Sequence, residues 1–189
     1  MRTALVTIVI GDAYQRLYGR YVQARFERYA LRHGYDVRLV GEPIRPLPGK
    51  KPTWQKLCLM DLPWFREYDQ IAFVDADILI ARDAPAFPVV PAGKVAGVAD
   101  KLPYQMNSGV LVYRPTPEVA AVFEEALCDN DPFWDQKALT RCLLYRHMDE
   151  PLDPRFNRQF YFKNWSLPGS LLRRQWFYHA CHGRPSCRS

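Results

Sequence analysis

Residues 3 to 10, Thr-Ala-Leu-Val-Thr-Ile-Val-Ile, form a nearly unbroken apolar, β-branched run that stops at the turn residues Gly11-Asp12. A strand with one wet face would alternate polar and apolar residues. This one does not, so it is predicted to be a central strand covered on both faces, which requires helices above and below it. The next segment supplies one. From Tyr14 to Arg32 the apolar residues Leu17, Tyr21, Ala24, Phe26 and Ala30 recur at helical spacing, His33-Gly34 is a stop signal, and Tyr35 to Val40 returns to strand character. The opening is a β-α-β unit, and such units build α/β folds whose ligands sit at the carboxyl ends of the strands. The loop from Gly11 to Tyr14 falls at that edge.

The same alternation continues. Pro43 to Pro52 is a connection, Trp54 to Phe65 a predicted helix, and Gln70 to Val74 a second central strand. Lys94 to Val98, Val110 to Tyr113 and Gln175 to Cys181 read as strands, and Pro117 to Leu127 and Trp134 to Leu144 as helices. Phe156 to Trp165 is aromatic and polar with no clear period. With 189 residues, 48% of them hydrophobic, the chain is expected to be one domain, 1–189, around one core. No apolar run reaches the roughly 18 residues of a membrane span, and no cleavage-site pattern follows the N-terminal strand. A soluble, cytoplasmic protein is therefore expected. The five cysteines, Cys58, Cys128, Cys142, Cys181 and Cys187, have no metal-type spacing and read as small core residues in a reducing compartment. Lysine and arginine number 26 against 20 acidic residues, a balance that favours phosphorylated ligands, polyanions or peripheral contact with an anionic membrane. No compact nucleic-acid motif accompanies it, so no nucleic-acid partner is expected.

The most informative segment is Ile71-Ala72-Phe73-Val74-Asp75-Ala76-Asp77-Ile78-Leu79-Ile80. Two carboxylates stand two residues apart between apolar runs. Ionised groups in such a setting are costly unless paired or bound to a cation, and their hard oxygens suit Mg²⁺ or Mn²⁺. An isolated D-x-D triplet is usually a turn cap, but this one follows a buried strand at the edge where an α/β fold binds ligands.

From this point the sequence resembles the glycogenin-like family 8 retaining glycosyltransferases, which have a GT-A fold: a Rossmann-like α/β architecture with a mixed, mostly parallel sheet flanked by helices. Thr7 to Tyr14 resembles the first-strand motif whose loop meets the nucleotide, making Thr7, Asp12 and Tyr14 expected donor contacts. Stacking on uracil suits Tyr14. Lys56 stands where a family lysine meets the donor phosphates or ribose. Asp100 matches a donor-sugar contact, and Asn107-Ser108-Gly109 resembles the N-S-G-V motif lining that sugar, although N-S-G alone is a turn signal. Asp135-Gln136 resembles the D-Q pair facing the transferred sugar and the acceptor; an acid at a helix start also complements the helix dipole. His179 resembles the histidine that completes the metal site, with His182 as the alternative, and Gly183 and Arg184 resemble a downstream glycine and cation with shifted spacing.

The resemblance implies that Asp75, Asp77 and His179 hold Mn²⁺ or Mg²⁺, with Ala76 between them in the donor site. It implies a UDP-sugar donor, a saccharide or other hydroxyl acceptor, retention of anomeric configuration, and Asp135 and Gln136 as the catalytic pair. Two other classes compete: a nucleotidyltransferase acting on a sugar phosphate, against which the single glycine of Gly11-Asp12-Ala13-Tyr14 argues, and a non-catalytic nucleotide-sugar-binding module.

Overall fold

The computed structural model describes residues 1–100, 105–130, 135–161 and 176–181. Its centre is a six-stranded sheet in the order β2-β1-β3-β6-β5-β7, formed by β1 (Thr3–Ile8), β2 (Asp36–Val40), β3 (Gln70–Val74), β5 (Val95–Ala99), β6 (Met106–Tyr113) and β7 (Asp149–Pro151). β6 runs antiparallel to both neighbours, and the other pairings are parallel, giving the mixed, mostly parallel sheet expected. A smaller sheet, β4-β9-β8, joins β4 (Ile78–Ile80) to β9 (Phe177–Cys181) and β8 (Arg158–Tyr161).

The alternation within β1 explains the layers. Ala4 and Val6 face one side with Ile71, Phe73, Leu111 and Tyr113, covered by Trp54 and Leu57, by Phe123 of α3 (Pro117–Leu127) and by Leu139 of α4 (Asp135–Tyr145). Leu5 and Val9 face the other side with Ala72, Val74 and Val112, covered by Phe26 and Tyr29 and by the aromatic group of Phe87, Phe156 and Phe177. Every residue named here is buried. Both faces of the sheet are dry, as the β-branched run of β1 requires.

The predicted helix from Tyr14 to Arg32 divides into α1 (Asp12–Leu17), a π-turn at Tyr18–Val22 and α2 (Gln23–His33), which ends on left-handed Gly34. The segment predicted as a helix from Trp54 to Phe65 is instead two 3₁₀ stretches, Pro52–Asp61 and Pro63–Glu67. Pro63 lacks an N–H and drives Leu62 into an extended conformation, which breaks the helix. Asn107-Ser108-Gly109, a turn signal in sequence, lies inside β6. Cys58 and Cys142 are buried free thiols as expected; Cys128 corrects that expectation, being exposed just beyond α3. No helix among the described residues is long and apolar enough to cross a membrane.

Candidate functional site

The acidic pair sits where β3 leaves the sheet. The Asp75 N–H donates to the Gly109 carbonyl at 2.8 Å, extending the β3–β6 pairing by one residue, and Ile78 N–H returns to the Asp75 carbonyl at 3.1 Å. This tight turn buries Ala76 and brings both carboxylates to one end of the sheet. β4 then pairs with β9 in a register that sets Ile78 opposite His179. As a result, His179 Nε2 lies 3.5 Å from Asp77 Oδ1, and one ligand atom each from Asp75, Asp77 and His179 fall within 4.8 Å of one another. Ligands on opposite sides of a six-coordinate Mg²⁺ are about 4 Å apart, so two carboxylates and an imidazole at this spacing can hold a small divalent ion.

Lys56 is buried behind this group. Its Nζ lies 3.1 Å from Asp75 Oδ1, 3.1 Å from the Ser108 carbonyl and 3.5 Å from Asp135 Oδ2. Burial alone would lower the Lys56 pKa, but Asp75 and Asp135 outweigh it and raise the ammonium above the ordinary lysine range. Asp135 also accepts from Ser108 Oγ at 3.0 Å. Gln136 accepts from Ser108 N–H at 3.2 Å and donates to Asp100. Burial pushes the Asp77 carboxyl above the usual aspartate range; His179 opposes that shift and Asp75 adds to it. One buried lysine therefore stands among Asp75, Asp77 and Asp135, three carboxylates against one ammonium, a balance that a divalent cation would complete.

The imidazole is held by a relay of amides. Gly109 N–H donates to Asn107 Oδ1 at 2.9 Å, and Asn157 Nδ2 donates to the same oxygen at 2.6 Å. That fixes Asn157 with its carbonyl toward His179, whose Nδ1 lies 3.2 Å from Asn157 Oδ1. Nδ1 then donates to Asn157, and Nε2 is the nitrogen turned to the carboxylates, the one placed to ligate a metal. Gly109 makes room for the ring: a Cβ there would sit 2.7 Å from His179 Cε1.

Next to the turn is a cavity lined by Ile8, Ile10, Pro52 and Phe73 on apolar sides, by Tyr14, Lys51, Thr53 and Lys56, and by Asp75, Ala76 and Asp77. Tyr14 is half exposed, and burial together with Asp77 and Asp75 raises its phenol pKa. The cleft thus combines an aromatic ring, two lysines and the paired acids.

The residues singled out in sequence are distributed unevenly. Lys56, Asp75, Ala76, Asp77, Asn107, Ser108, Gly109, Asp135, Gln136, Asp100 and His179 form one connected group. Thr7 is fully buried in β1, with its hydroxyl unpartnered among the described residues, and Asp12 is exposed in the first turn of α1; neither lines the cavity. His182, Gly183 and Arg184 lie outside the described residues. Sequence reasoning missed Asn157, which falls in the aromatic and polar stretch with no period; only its contacts with Asn107 and His179 single it out.

No protein-family model and no curated protein matches the chain. Solved structures do. A glycosyltransferase involved in glycosylation of the major capsid of PBCV-1 is similar at a TM-score of 0.65 and 13% identity, over 96% of this chain and 94% of that one. The bifunctional glycosyltransferase WbbM, in its apo structure, gives 0.60 and 14%, over 97% of this chain and 46% of that one. The glycosyltransferase GlyE of Streptococcus pneumoniae TIGR4 gives 0.58 and 13%, over 94% and 55%. The chain thus spans nearly all of the first and about half of the other two. At such identities the likeness is one of fold, and the fold is that of the GT-A glycosyltransferases.

Proposed function

We propose that this chain is a metal-dependent glycosyltransferase of the retaining, glycogenin-like kind, which moves a sugar from a UDP-sugar to a hydroxyl of a saccharide or glycan acceptor. The observation that carries this reading is the charge arrangement: Asp75, Asp77 and His179 converge beside a cavity that starts at Tyr14, and Lys56 neutralises only part of the acidity. The glycosyltransferase fold supports it. Mn²⁺ is the expected metal, and when bound it supplies Lewis-acid stabilisation of the departing diphosphate.

The protein groups do the rest. Tyr14 stacks on the uracil, with Asp12 and Thr7 as the further nucleotide-side candidates. Lys56 holds Asp75 and Asp135 in fixed positions, so the acids do not relax into water when the cleft empties. Asn107, Ser108, Gly109 and Asp100 form the wall against the donor sugar, with Asp135 and Gln136 nearest the reacting carbon. Ser108 ties the last two together, through its hydroxyl to Asp135 and its N–H to Gln136. Gly183 and Arg184 remain donor-binding candidates by resemblance, with Arg184 as a further cation for the diphosphate.

The test is a panel of UDP-glucose, UDP-galactose, UDP-N-acetylglucosamine and UDP-xylose with Mn²⁺, reading UDP release and product anomer by NMR. UDP release from one donor with retained configuration supports the proposal. Inversion overturns the retaining assignment, and release of pyrophosphate overturns the transferase reading in favour of nucleotidyl transfer.

A further inference from the structure

α2 buries Phe26, Tyr29 and Ala30 against the sheet. Its opposite face is unusual. At about 100° per residue, Ala24, Arg25, Arg28, Leu31 and Arg32 fall within an arc of roughly 120°, all exposed. Arg20 and Tyr21 of the preceding π-turn, with Arg82 from the loop after β4, complete an open groove with Ala24, Arg25 and Arg28.

Several arginines elsewhere meet acids: Arg2 with Asp36, Arg45 with Asp61 and Glu124, Arg141 with Asp129, and Arg146 with Glu125. At the groove they do not. Among the described residues, the guanidinium groups of Arg25, Arg28 and Arg82 have no hydrogen-bond or ion-pair partner, and Arg20 meets only the Tyr21 ring, 5.1 Å from its guanidinium carbon. The acid bordering this face on α2, Glu27, accepts from Gln23 instead. Four like charges converging on one groove make a patch of positive potential that attracts an external anion.

Two apolar side chains stand among these cations in contact with water: Leu31 is 84% exposed and Tyr21 55%. A soluble phosphate ligand or a nucleic acid backbone gains nothing from an exposed leucine. A lipid interface does, because the leucine enters the headgroup region, the tyrosine ring sits at its level, and the guanidiniums meet lipid phosphates. We propose that the outer face of α2, with Arg20 and Arg82, is a docking surface for an anionic phospholipid membrane.

The experiment is vesicle co-sedimentation of the full chain at low ionic strength, using phosphatidylcholine alone and mixed with phosphatidylserine. Wild type is compared with Arg25→Glu/Arg28→Glu and with Arg66→Glu/Arg114→Glu, which changes net charge equally on another face. Wild type is expected to bind only the mixed vesicles. Arg25→Glu/Arg28→Glu loses at least about twenty-five-fold in partitioning, since each basic residue near such a surface contributes about a fivefold factor, and the control pair binds like wild type. All these residues are exposed or at the surface, and circular dichroism and the UDP titration confirm that the variants fold. No binding to anionic vesicles overturns the proposal. So does equal loss in both double variants, which makes the effect one of net charge, and so does preferential binding of inorganic phosphate or duplex nucleic acid over vesicles.

Discussion

The acidic turn after β3 and the outer face of α2 both concentrate charge, in opposite ways. At the turn, Asp75 and Asp135 each lie within 3.5 Å of the buried Lys56 ammonium, and Asp77 and His179 close the group. On α2, Arg25 and Arg28 are exposed and have no acid paired to them among the described residues. Buried charge must be balanced on the spot, because desolvation is costly and each removed partner leaves an uncompensated ion. Exposed charge is screened and costs little to leave unbalanced. The first arrangement therefore makes a rigid, specific site, the second a forgiving surface that answers to ionic strength. Mutations should expose the contrast: large, local effects at the turn and graded, salt-sensitive ones on exposed charges.

The largest effect is expected from Lys56→Met. It leaves Asp75 and the nearly buried Asp135 without their shared cation and should lower stability by about 3–5 kcal/mol in urea unfolding. A change below about 1 kcal/mol would mean that the acids are solvated or share a proton instead. Next is Gly109→Ala. The new methyl enters the space of the His179 ring, and a loss of about 1–3 kcal/mol in stability with weaker Mn²⁺ binding is expected from calorimetry and unfolding together. Unchanged metal binding would show that His179 does not ligate.

Asn157→Ala is milder. It removes the group that fixes the imidazole tautomer, and Mn²⁺ affinity should fall about tenfold while the unfolding midpoint moves less than for Gly109→Ala. The smallest effect lies at an exposed pair. Arg45 holds the Glu124 carboxyl below the usual glutamate range. A carboxyl with a lowered folded-state pKa stabilises the fold above its unfolded value, and this contribution disappears as pH falls through the folded value. Solvent screening limits it to about 0.5 kcal/mol, seen as a small difference between wild type and Glu124→Gln at neutral pH that disappears in acid and shrinks with salt.

How much of this was legible in the sequence depended on how local the cause was. β1 is readable because a strand buried on both faces cannot hide its composition, and Asp75 and Asp77 because acids between apolar runs demand a partner. The 3₁₀ character of Pro52–Asp61 was missed because hydrophobic spacing there resembles a helix, whereas Pro63 decides the backbone. β7, three residues of Asp-Glu-Pro at a sheet edge, carries no strand signal at all. In the site, Lys56 is legible but its burial is not, since that depends on Asp75 from the turn after β3 and Asp135 from the start of α4 meeting it in space. Asn157 was invisible for the same reason, being 50 residues from Asn107 and 22 from His179. Gly109 was expected to admit a ligand, and its observed neighbour is the histidine ring.

The central claim, a divalent-metal and nucleotide site built on Asp75, Asp77 and His179, is tested most directly by calorimetric titration of UDP with and without Mn²⁺, in wild type and in Asp77→Asn. The account expects UDP binding that requires Mn²⁺ in wild type and is abolished in the variant, with the fold intact. Metal-independent UDP binding of equal strength in both proteins, or no UDP binding under any metal, would contradict it.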